Sequence, residues 1–317
     1  MKLFFAVAIA SVYGLSTRLL FGVLDNFLSI MSITFLGLIP FVIGFLTIML
    51  IPKEKKVGAA AAFFIPWLSS LAILFITIAL SVEGTICWIM IYPFFSVFAG
   101  IGGIIAMYIR DRKKNKNFEK PTTLNVSLVF LVPAFLGFLE GDRTLTTKQF
   151  MISKEIIIKA APAKVWKELV NINDIKEEEK TKSFSHALGF PQHISTTIDT
   201  LAVGGKRIAF YEKGLFFEET ISQYKAEQLM VLAIKTDPSK IPADVMDEHI
   251  LLGGKHVDIS EDSYKLEALP DGSSKLTLSS RFFINTPFNW YAGIWADYLM
   301  ADILQSELNL ISKRATE

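Results

Sequence analysis

Apolar runs on the scale of a bilayer crossing fill the first 140 residues and leave little freedom in what this part of the chain can become. A helix rising 1.5 Å per residue needs about 20 apolar residues to cross a hydrocarbon core of roughly 30 Å. The runs 3–24, 27–51, 57–80 and 85–109 reach that length, and 122–139 approaches it. The first carries one charge, Arg18, and the next three carry none. The fifth is shorter and contains Asn125 and Pro133. Prolines at 40, 66, 93 and 133 are compatible with membrane helices, where local adjustments satisfy the freed backbone groups. The pattern predicts an α-helical membrane bundle of about five transmembrane helices over residues 1–140. Lys2 and the small residues Ala8-Ile9-Ala10 resemble a secretory leader, but apolar sequence runs on to Leu24, which predicts a retained span.

Charge distribution orients the bundle. The loop around Lys53, Lys55 and Lys56 is basic, and so is the loop holding Arg110, Arg112, Lys113, Lys114, Lys116 and Lys120. The loops at Asp25-Asn26 and Ser81–Gly84 contain no lysine or arginine. Short basic loops stay in the cytoplasm. The N-terminus is therefore expected inside, and five crossings put everything after Gly141 outside. An intramembrane charge is a functional candidate by default, but Arg18 lies near the outer end of its span, where snorkelling or a pair with Asp25 explains it. Gly100, Gly102 and Gly103 are read as helix-packing positions. No span carries a row of acidic residues or histidines, which argues against ion-coupled transport.

Residues 141–147 are read as a linker. From Lys148 the pattern becomes that of an α+β domain. An isoleucine-rich strand, 150–160, precedes Pro162 at the first turn of a helix, 163–170. That helix turns Val165, Trp166 and Leu169 inward. The charged stretch 171–182 is read as a short helix and loop. Strands follow at 206–211, 215–223 and 229–236. Strands 256–269 and 275–285 flank Pro270-Asp271-Gly272, a strong turn signal. A proline-free helix, 289–313, closes the domain.

The run Glu155-Ile-Ile-Ile-Lys-Ala-Ala-Pro-Ala-Lys-Val-Trp166 resembles the opening of the START-like superfamily, also called SRPBCC or helix-grip proteins. The order of later strands and the long last helix agree with it over residues 148–317. The resemblance implies a curved antiparallel sheet around a long C-terminal helix, with a hydrophobic cavity between them. Members bind lipids and other apolar molecules, some are cyclases or hydrolases, and others are regulators, so the fold alone does not choose a function.

Polar residues on apolar faces mark the candidate site. Strand alternation groups Leu215, Phe217, Glu219 and Ile221, with Arg207 as a nearby partner for Glu219. A 100° helical step groups Leu299, Met300, Ile303, Leu304 and Ile311 around Glu307. Arg207 and Arg281 are candidate partners for Glu307. Trp166, Tyr211, Tyr264, Trp290, Tyr291 and Trp295 supply aromatic lining. The candidate ligand-binding set is therefore Trp166, Arg207, Tyr211, Phe217, Glu219, Tyr264, Arg281, Trp295 and Glu307.

Other chemistries lack their motifs. The only cysteine, Cys87, lies in an apolar run, and the four histidines form no HExxH. His249 and His256 with Asp247 are spaced too loosely to argue for zinc. No nucleophile elbow or phosphate loop is present, and no cofactor is implied. A net charge of +1 gives no reason to expect nucleic acid as a partner. The expected function is binding of a hydrophobic or amphipathic, lipid-like small molecule at the outer membrane face. An enzyme using Glu219 or Glu307 as acid or base is the alternative, and a ligand sensor or assembly module is the third reading.

Overall fold

The computed structural model describes residues 2–24, 27–52, 54–80, 82–114, 124–241 and 251–317. The chain divides into two compact units, Met1–Leu145 and Thr146–Glu317.

The first unit is helical. It comprises α1 (Lys2–Val23), a π-helical turn (Thr34–Leu38) running into α2 (Ile39–Met49), α3 (Ala59–Ala79), α4 (Thr85–Lys114) and α5 (Leu124–Glu140). Three stretches, Leu3–Val23, Ala59–Ala79 and Ile86–Arg112, are long and apolar enough to cross a membrane. Thr34–Met49 and Leu131–Glu140 are shorter apolar helices. The second apolar run, expected as one helix over 27–51, is thus helical over a smaller part of its length. Capping explains this. The Glu140 carboxylate accepts from the backbone N–H of Ile33 at 2.6 Å and of Thr34 at 2.8 Å, and the Ser32 hydroxyl accepts from Phe35 N–H at 3.0 Å. An anion on the first free N–H groups fixes a helix start, so residues 27–32 form turns and bends instead. In the fifth run, Thr122 and Thr123 lie outside the described residues.

Glycine lets α2 and α4 meet backbone to backbone. A Cβ added at Gly44 would lie 1.7 Å from Ala99 O, and one at Gly102 would lie 1.9 Å from Phe41 O. The packing role read for the 100–103 glycines is what these contacts provide. Arg18 is buried and paired with Glu83 rather than snorkelling outward; Asp25 lies outside the described residues. Arg110 donates to Ile48 O at 3.2 Å and to Pro52 O and Lys55 O, each at 2.6 Å. A cation there satisfies the carbonyls that end α2.

The second unit is α+β. Its elements are β1 (Thr147–Ile158), α6 (Pro162–Val170), α7 (Phe184–Ala187), β2 (His193–Ile198), β3 (Lys206–Tyr211), β4 (Phe216–Lys225), β5 (Leu229–Lys235), β6 (Val257–Ala268), β7 (Ser274–Asn285) and α8 (Asn289–Thr316). One antiparallel sheet holds all seven strands in the order β1-β7-β6-β5-β4-β3-β2. At the β6–β7 turn, Asp271 accepts from Ser273 N–H at 3.1 Å, and Gly272 supplies the required positive φ of 82°. The segment 171–182 contains no helix. Its backbone is bonded to β2 instead: Ile175 N–H donates to Ile194 O at 2.8 Å, and Thr196 N–H donates to Ile172 O at 2.7 Å. These bonds hold it extended, and the short helix forms later, at 184–187.

The core lies between the sheet and the helices. Val165 and Leu169 of α6 meet Leu304, Leu308 and Ile311 of α8 over Ile221, Met230, Leu232, Leu276 and Leu278. Each such side chain contributes about 1.5–3 kcal/mol when fully buried. On α8, Met300 and Ile303 are only half-buried, while Leu308 and Leu310 join the buried set.

Candidate functional site

The site is assembled on the inner face of β2, β3 and β4, where they approach α8. Period-two alternation on β3 sends Arg207, Ala209 and Tyr211 to one face, and on β4 it sends Phe217, Glu219 and Ile221 to the same face. Arg207 and Glu219 are register partners. Arg207 Nη1 donates to Glu219 Oε2 at 2.7 Å, and both side chains are almost fully buried. The guanidinium lies over the Tyr264 ring, 5.6 Å from its centroid. Burial pushes the Glu219 carboxyl up, while the guanidinium pulls it back.

The second half of the site joins helix to sheet edge. His193 Nδ1 lies 3.0 Å from Glu307 Oε2, and its Nε2 lies 3.1 Å from Ser195 O. A carbonyl only accepts, and so does an ionised carboxylate. Both bonds are therefore made together by a doubly protonated ring beside ionised Glu307, or by a neutral ring beside protonated Glu307. Burial would raise the Glu307 carboxyl, but His193 and Arg207 outweigh it and hold Glu307 below the ordinary range. That direction favours ionised Glu307, which accepts from the His193 ring. The Tyr211 ring stacks on His193 with centroids 5.1 Å apart and meets the Phe217 ring edge-on at 5.3 Å.

A cleft opens beside this pair, enclosing about 550 Å³ when its mouth is included. Apolar walls come from Ile175, Phe190, Pro191, Ile303 and Leu310, and polar ones from residues that include Glu179, Lys180, Gln192, His193, Tyr211 and Glu307. Deeper in the sheet, Asp262 of β6 has a buried oxygen, Oδ1, without a hydrogen-bond partner. Burial pushes its carboxyl up to about 7; Ser280 opposes this and Glu219 adds to it.

Six of the nine residues singled out in the sequence converge: Arg207, Tyr211, Phe217, Glu219, Tyr264 and Glu307. Three do not. Trp166 is a core residue, its ring 6.0 Å from that of Tyr224. Arg281 points to the opposite face of the sheet, half exposed, near Glu261 at 3.7 Å. It is the register partner of Met151 and Glu261, one residue out of phase with the inward Ser280 and Phe282. Trp295 is half-buried on α8 but lies 12 residues from Glu307, about 18 Å along the helix. His193 and Asp262 were not anticipated. Asp262 was detectable, because alternation puts it in phase with Tyr264 and Leu266; His193 sits on a strand that the sequence pattern did not reveal.

A long C-terminal helix packs against one antiparallel sheet whose first strand, β1, pairs with β7 of the last hairpin. This is the architecture that the resemblance to START-like, helix-grip proteins implies. No family model matches the chain, and no curated protein matches it. Solved structures do match over the C-terminal half. An uncharacterised protein from Rhizobium leguminosarum is 12% identical over 54% of this chain and 97% of its own, with a TM-score of 0.34. Protein MLL2253 from Mesorhizobium loti is 13% identical over 53% of this chain and 97% of its own, with a TM-score of 0.32. Truncated norcoclaurine synthase from Thalictrum flavum is 14% identical over 54% of this chain and 96% of its own, with a TM-score of 0.34. At such identities nothing about ligand or activity carries over to the helix-grip domain described above.

Proposed function

We propose that the helix-grip domain binds an amphipathic or hydrophobic small molecule, lipid-like in character, and that five spans hold it at the outer face of a membrane. The cleft carries this reading. Most of its exposed wall surface is apolar, and its polar groups include His193, Tyr211 and Glu307. Ligand sites combine an apolar surface with a few placed polar groups in this way. Tethering beside a bilayer keeps the domain at high effective concentration near an apolar ligand.

Two observations support the outer location. The loops holding Lys55 and Arg110 are basic, and the alternate loops are not. Hydrogen bonds also tie the helix ends within the first unit. Glu140, at the end of α5, caps the start of the helix that follows α1, whereas Arg110 joins the other end of α2. That favours α5 finishing on the side where α1 finishes, as an odd number of crossings requires.

The test is mass spectrometry of small molecules that copurify with the gently solubilised full chain. A stoichiometric amphipathic compound is the expected result. Protein that emerges empty and, once delipidated, takes up no fluorescent apolar probe contradicts the reading. A second reading, proton transfer on the bound molecule, is favoured by the placement of Glu307 with its histidine partner at an open cleft. Glu219 is less suited to that role, because Arg207 holds it away from the cleft lining.

A further inference from the structure

The charges around the cleft are already matched. The acidic and basic side chains among its described lining residues are Glu179, Lys180, His193 and Glu307. Glu179 accepts from Arg314 at 2.6 and 2.9 Å. Lys180 donates to Glu177 at 2.5 Å and to Glu212 at 2.9 Å. His193 and Glu307 hold each other at 3.0 Å. An ammonium entering here meets His193 and Lys180, and a carboxylate meets Glu179 and Glu307. Either ion must break an existing pair or be desolvated without a counter-charge, which costs several kcal/mol.

Hydrogen-bonding groups at the wall are left over, among them the Tyr211 hydroxyl and Glu307 Oε1, a buried carboxylate oxygen without a partner. The Tyr211 hydroxyl bonds to no other group among the described residues, although its ring is fixed between His193 and Phe217. Burial pushes that phenol well above its ordinary range, so it remains an O–H that can donate and accept. We infer that the cleft selects a neutral polar head, a hydroxyl or carbonyl on an apolar body, bound through the Tyr211 hydroxyl, and that it discriminates against both cations and anions of the same shape. This rests on the reading of the cleft as a ligand site.

Three isosteric probes separate the possibilities: benzyl alcohol, benzylamine and benzoate, titrated calorimetrically into the delipidated full chain in detergent. Benzyl alcohol is expected to bind at least about tenfold more tightly than either ion, since one uncompensated charge outweighs one neutral hydrogen bond. Tyr211→Phe should weaken benzyl alcohol about five- to tenfold with an unchanged melting temperature. Glu307→Gln leaves His193 without its carboxylate and should shift the preference toward benzoate. The inference is overturned if an ion binds the native protein as tightly as the alcohol, or if Tyr211→Phe binds the alcohol unchanged. If none of the three probes binds, the cleft is no ligand site and the function proposed above falls with it.

Discussion

Arg207 and Glu219 face each other directly across β3 and β4, and their 2.7 Å ion pair is buried against the ring of Tyr264. Burying two charges is costly, and only good geometry and mutual attraction repay it. Losing one partner strands the other charge in the sheet. Arg207→Met alone or Glu219→Leu alone is therefore expected to destabilise the domain by about 3–5 kcal/mol. The double substitution leaves no orphan charge and should recover most of that loss. Urea unfolding of the full chain in detergent, followed by tryptophan fluorescence, measures all three. A double variant as unstable as the sum of the singles would show that the pair's role is not electrostatic.

Asp262 gives a pH dependence of definite sign. Burial first, and then the neighbouring Glu219, raises its carboxyl to about 7, against the opposing pull of Ser280. An unfolded aspartate titrates near 3.9. Below about pH 4 both states are protonated, and Asp262 contributes nothing to the balance. As pH rises toward 7 the unfolded chain ionises first, so the folded state loses stability; above 7 the penalty is constant. Asp262→Asn should thus stabilise the protein by about 1–2 kcal/mol at pH 8 and by nothing measurable at pH 4. Thermal melts of native and variant protein at the two pH values decide it. A gain that is the same at both would mean that the carboxyl is not perturbed by its site.

Period-two and 100° patterns were enough to place much of this domain. They located β3, put Glu219 beside Phe217 on an inner face, and put Glu307 in the apolar stripe of α8. Both patterns act through local geometry, which a sequence displays. They failed where a contact from elsewhere decides the structure. The 171–182 segment is charged enough to be a helix, yet Ile172 and Ile175 bond to β2 and keep it extended. His193 belongs to that same hidden strand, so its pairing with Glu307, 114 positions away, was out of reach. Arg281 is a candidate that alternation alone leaves unplaced, and it lies one step out of phase with Ser280 and Phe282, which sends its side chain to the other face of the sheet. In the helical unit, apolar length alone overextended the second run, because the Glu140 carboxylate that fixes its start comes from a distant helix.

The outer location of the helix-grip domain is the claim on which the tethered-binding account depends. Paired fusions after Glu317 measure it most directly: one carries a reporter enzyme active only outside the cytoplasm, the other a reporter active only within it. The nine lysines and arginines of the 53–56 and 110–120 loops, with none in the alternate loops, predict an active outer reporter and a silent inner one. A silent outer reporter with an active inner one would put the domain in the cytoplasm and contradict the account.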